Sequence, residues 1–205
     1  MIYIAYNRLG SPGMSVQASS VEDRLLKLQL RLAQLEKQES CRENFLDFVG
    51  TMWPDFISGR HHRIIAEKLE RVARGELKRL IINMAPRHTK SEFASFLFPA
   101  WMMGKNPGMK IIQATHTTEL AVNFGRKTKN LIDSDEFKDV FPDVKLAADS
   151  KASGRWDTSR GGMYYAVGVG SNLAGRGGDL VIIDDPHSEQ TAMSNSGFDD
   201  AWDWY

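Results

Sequence analysis

Four residues of this chain have types and neighbours that suit phosphate chemistry: Lys90, Ser91, Asp184 and Asp185. Lys90 and Ser91 end the stretch RLIINMAPRHTKS, residues 79–91. There an apolar run (Leu80, Ile81, Ile82) leads through Pro86 into a turn carrying Arg87, His88 and Lys90. A cationic turn behind a strand and ahead of a helix suits an anion, because free N–H groups and the helix dipole both favour negative charge there. On that reading Pro86, Arg87, His88, Thr89, Lys90 and Ser91 cradle a polyphosphate. Lys90 reaches the outer phosphates, and the Ser91 hydroxyl serves Mg²⁺. The pattern G-x-x-x-x-G-K-[ST] falls on Met84 to Ser91, so Met84 and Thr89 replace both glycines. By itself the Lys-Ser pair reads better as an ordinary strand-to-helix turn with a surface lysine.

Asp184 and Asp185 end a second apolar run, DLVIIDDPHS, residues 179–188. A strand ending in two carboxylates suits a Walker B motif: Asp184 holds the Mg²⁺ shell and Asp185 orients the attacking water. Glu189 is the next candidate for that acid. The alternative is a solvated Asp-Asp-Pro turn. The two motifs lie 184 − 90 = 94 residues apart, room for an intervening strand and helix. KIIQATHTTELA, from Lys110, supplies both.

The elements that must position these residues are legible by period. Val21, Leu25, Leu28, Leu32 and Leu35 mark one face of a helix over 21–39, which either pairs chains or packs on its own domain. Helices are expected over 44–49, 61–74, 91–103 and 118–132, a further turn over 137–141, and strands over 79–84, 110–115, 164–169 and 180–183. Strands alternating with helices imply a mainly parallel sheet with helices on both faces. The expected layout is a flexible leader (1–20), a helical extension (21–43) and an α/β domain (44–205).

The 205 residues carry 26 basic and 26 acidic side chains, a balance that neither requires nor excludes nucleic acid. One cysteine, Cys41, excludes an internal disulfide and fits a reducing compartment. No apolar run approaches the length of a membrane span, and the N-terminus lacks the pattern of a secretory signal.

Taken together, residues 44–205 resemble the ATPase domain of the large terminase subunit of tailed bacteriophages. Four stretches carry the likeness: GRHHRIIAEKLERVARGELKRLIINMAPRHTKSE, IIQATHTTELAVNFGRKTKNLIDSDEFKDVFPD, GVGSNLAGRGGDLVIIDDPHS and SNSGFDDAWDWY. The family more often has Gly where Thr89 stands. The resemblance implies an additional-strand (RecA-like) P-loop fold and hydrolysis of ATP with Mg²⁺. It implies work on double-stranded DNA, as a homo-oligomeric ring with a portal protein and a small terminase subunit, in the cytoplasm of a bacterial host. It also implies that the chain is a piece, cut before the coupling motif and a ribonuclease H-like nuclease domain.

The resemblance gives roles to further residues. Arg87 senses or stabilises the γ phosphate, against a solvent-facing loop arginine. Arg176, in AGRGGD, is a candidate arginine finger for a neighbouring subunit, against a contact to DNA or water. His61 and His62 stand where related ATPases read adenine. His116 and His187 read as structural. Lys127 and Lys129, beside Arg126, could track a DNA backbone or simply be solvated. Two other functions remain open: a helicase-like translocase, and a non-catalytic module that binds nucleotide or only assembles.

Overall fold

The structure, a computed structural model, describes residues 15–150, 152–173, 175–188, 191–193, 199 and 202–204. The chain divides into two compact units, Met1–Gln38 and Glu39–Tyr205. The first holds most of helix α1, Ser15–Glu43, which begins inside the expected leader. Residues 1–14 and Glu189 lie outside the described residues. Among the described residues no helix is long and apolar enough to cross a membrane.

The second unit is mixed α/β. Helix α2 (Phe45–Met52) buries Phe45, Phe48 and Val49, the i, i+3, i+4 set of one face. It stops where Trp53, held extended before Pro54, cannot continue the helix. Helix α3 (Arg60–Ala73) buries Ile65, Ala66 and Leu69 and ends before Gly75, whose φ of 75° places it in the left-handed region. A π-helical turn, Glu92–Leu97, runs directly into α4, Phe98–Lys105. Pro99 gives the reason: it has no N–H to offer the Ser95 carbonyl, and the turn before it widens. The Phe98 N–H accordingly bonds back to Phe93, five residues earlier.

Strand β1 (Lys110–Thr115) leads through Thr117, whose side chain accepts the Leu120 N–H, into α5, Thr118–Asp133. Ser134 caps α6, Asp135–Val140, in the same way. Strands β2 (Arg155–Asp157), β3 (Met163–Gly168) and β4 (Leu180–Asp184) complete the sheet. Its order is β2-β3-β1-β4; β1 runs parallel to β3 and β4, and β2 is antiparallel to β3. Central β1 is buried on both sides from Ile111 to Thr115. The register pairs Thr115 with Gly168 and with Asp184, so three strand ends meet at one carboxyl edge.

One expectation requires correction. Residues 79–84 form no strand, and no backbone ladder holds them in the sheet. The neighbour of β4 is β1. The chain from Arg79 to Ala85 alternates instead: Leu80, Ile82 and Met84 pack against the core, whereas Ile81 is 86% exposed. Among the described residues α2–α6 gather over one face of the sheet, around Phe45, Phe93, Trp101, Ile111 and Tyr164. The other face holds a smaller cluster, Ile112, Ala114 and Val167, packed by Tyr165, Leu173, Ile183 and Trp204, the last within the helical residues 202–204.

Candidate active site at the carboxyl edge of the sheet

The cationic turn and the Asp pair come together. Lys90 Nζ donates to Asp185 Oδ1 at 2.5 Å and lies 3.3 Å from Asp184 Oδ1. Burial acts to lower the Lys90 pKa, but the hydrogen bond to Asp185 and the charge of Asp184 outweigh it and hold it above the ordinary lysine value. The other oxygen of Asp184 accepts a hydrogen bond from Ser95 Oγ at 2.8 Å. Ser95 is fully buried, and the sequence reading missed it. The available signal was its position four residues after Ser91, on the same helix face and alone among apolar neighbours. Ser91 itself stands at the head of the π turn, immediately after Lys90.

The backbone of this site is strained. Arg87, Thr89 and Asp185 have φ of 64°, 65° and 44°, in a region non-glycine residues seldom occupy. Such conformations cost energy, persist only where surroundings enforce them, and cluster at functional sites. At Thr89 the enforcement is visible. His62, on the first turn of α3, accepts the Gly59 N–H at Nδ1, 2.9 Å away. In the neutral ring Nε2 therefore carries the proton and donates to Thr89 Oγ1 at 2.8 Å. The Thr89 hydroxyl in turn donates to the His88 carbonyl at 2.5 Å. His62 stacks on Phe93 with ring centroids 5.0 Å apart, and Phe56 meets its edge at 4.8 Å. Burial first, then the charges of His61 and Arg63, lower its pKa. His62 thus latches the turn at Thr89, and Phe56 and Phe93 occupy its flanks.

The remaining candidates are dispersed. Arg87 is exposed on the turn. His88 Nδ1 lies 2.9 Å from the Pro86 carbonyl. Arg176 does not join Lys90 and the Asp pair; its guanidinium stacks on the Tyr165 ring, 4.2 Å from the centroid. His116 bonds through its backbone N–H to the Asp185 carbonyl at 3.2 Å, tying the ends of β1 and β4. Lys127 pairs with Glu92 at 2.9 Å, Lys129 donates to the Ser150 carbonyl, and Arg126 donates to Asn123.

The donor set fits a hard cation beside an anion. Asp184 and Ser91 are oxygen donors, and Mg²⁺ uses one or two such groups plus substrate phosphates rather than a protein cage. The described residues hold no cluster of three or more His, Cys, Asp or Glu able to bind a metal by themselves. No family model matches the chain, and no curated protein matches it significantly.

Proposed function

We propose that this chain is a P-loop ATPase of the terminase type, a motor domain that hydrolyses Mg–ATP to move double-stranded DNA. The observation that carries the reading is the meeting of Lys90 with Asp184 and Asp185 across 94 and 95 residues of chain. A cation and two acids at the carboxyl edge of a parallel sheet match where such folds bind ligands. The resemblance over residues 44–205 supplies the motor, the DNA and the portal. Bound Mg²⁺ would screen the phosphate charge. Lys90 would exchange its carboxylate partners for phosphate oxygens, while Ser95 keeps Asp184 oriented. Asp185, released from Lys90, would polarise the attacking water.

Calorimetry with Mg–ATP tests the binding half. Lys90→Ala removes one charge-assisted contact, roughly 1.5–3 kcal/mol, and so weakens affinity about tenfold to a hundredfold. Equal affinity in both proteins makes Lys90 a surface lysine. The catalytic half is tested in a longer form assembled on its portal. Asp185→Asn keeps ATP binding near normal and abolishes most turnover, because the charge acts on water rather than on nucleotide. Binding without turnover in the unaltered protein favours the non-catalytic module. Arg176, stacked away from its own Lys90 cluster, is proposed as the finger for the neighbouring subunit; such a residue contributes roughly 10³–10⁵ in rate. Mixing Arg176→Ala with Asp185→Asn then restores partial activity. No recovery, with assembly intact, places Arg176 in another role.

A further inference from the structure

Helix α1 carries an exposed apolar seam. Val21, Leu25, Leu28, Leu32 and Leu35 recur at spacings of 4, 3, 4 and 3. Each is between 44% and 66% exposed. The spacing is that of coiled-coil core positions: Leu25 and Leu32 at a, and Val21, Leu28 and Leu35 at d. Leu26 and Leu30 lie off this seam, on a stripe bounded by Asp23 and Lys37.

The flanks identify the occupant. With that register the g positions hold Arg24 and Arg31, and the e positions hold Glu22, Gln29 and Glu36. In a parallel pair each g side chain faces the e side chain of the next heptad on the other helix. Arg31 then meets Glu36 of the second copy twice by symmetry, and Arg24 meets Gln29. An antiparallel pair sets g against g and e against e, which opposes arginine to arginine and glutamate to glutamate. The charges therefore complement a second copy of the same helix in one orientation only. Arg31 is free to make the exchange, because its partner is an exposed bond to Gln34 at 3.0 Å.

We infer that α1 pairs in parallel with α1 of a second copy of this chain. From Val21 to Leu35 the seam is about 22 Å long at 1.5 Å per residue. A seam so short makes a weak pair, formed where copies are already concentrated. Parallel pairing sends both Glu39–Tyr205 units off the same end of the coil. This inference does not depend on what the second unit hydrolyses.

Sedimentation equilibrium of the 205-residue chain tests it, over about 10 μM to 1 mM, where weak association is resolved. A monomer–dimer equilibrium is expected. Leu28→Glu with Leu32→Glu abolishes it while the unfolding transition of the second unit persists, since both side chains are exposed. Arg31→Glu and Glu36→Arg each weaken the dimer roughly tenfold, and the double reversal restores it. Leu35→Cys oxidises to a linked dimer, since only in a parallel pair does this off-centre residue meet its counterpart; native Cys41 is buried. A monomer throughout, a larger species, a dimer indifferent to the charge cycle, or no Leu35→Cys linkage overturns the proposal.

Discussion

His62 works only as a neutral ring. Its Nδ1 must accept from Gly59 while its Nε2 donates to Thr89, and a protonated ring would set N–H against N–H at Gly59. Burial, aided by His61 and Arg63, lowers its pKa below the ordinary value. The unfolded chain therefore takes up this proton first on acidification, and stability falls with it. The contribution of His62 is complete above about pH 6.5 and declines as pH drops through that value toward the lowered one. Unfolding temperatures of the native protein and His62→Phe should converge from pH 7.5 to pH 5, because phenylalanine keeps the stacking and removes the titration. Parallel curves would mean that the ring is mere packing.

At the scale of elements, two glycines within helices show how tertiary contact outweighs propensity. Gly50 in α2 is exposed, and a Cβ there meets nothing within 4 Å. Gly50→Ala should stabilise the protein by about 0.5–1 kcal/mol through helix propensity. Gly125 in α5 faces β3, and a Cβ there falls 2.6 Å from the Ser153 carbonyl oxygen and 3.0 Å from the Tyr164 ring. The same gain is opposed by overpacking of about 1–3 kcal/mol. Gly125→Ala should therefore destabilise, by moving α5 off the sheet. Urea midpoints measured side by side decide the matter: two shifts of the same sign contradict this account. The π turn before Pro99 belongs to the same scale. It starts directly after Lys90 and Ser91 and contains the buried Ser95 that orients Asp184.

Across the whole molecule the core is lopsided. Phe45 sits among Phe93, Phe98 and Trp101 at ring separations of 5.7, 5.6 and 5.4 Å, joining α2, the π turn and α4. Phe45→Ala should cost about 3–5 kcal/mol. That is a large share of a typical stability of about 5–15 kcal/mol. The urea midpoint should fall with the slope unchanged. Ile81→Ala is the contrast: the side chain is 86% exposed, so the change should stay within about 0.5 kcal/mol. A loss comparable to that of Phe45 would return residues 79–84 to the core as a strand. Among the described residues β4 is an edge strand, and its Val181 is exposed.

The sequence by itself determined what is decided within a few residues. Helices α2, α3 and α5 follow from apolar spacing. Strands β1, β3 and β4 match the spans expected of them to within one residue at each end. Lys90, Asp184 and Asp185 were candidates by type and by position after those runs. Residues 79–84 misled because apolarity reports burial, whereas membership of a sheet needs a hydrogen-bonding neighbour that no local pattern names. Only the tertiary structure set Lys90 against Asp185 and Ser95 against Asp184, pairs 95 and 89 residues apart. It alone supplied the bond from His62 to Thr89 and the gathering of α2–α6 around Phe45 and Tyr164. Local periodicity records which face of an element is apolar; chain crossing and sheet register decide which residues that face meets.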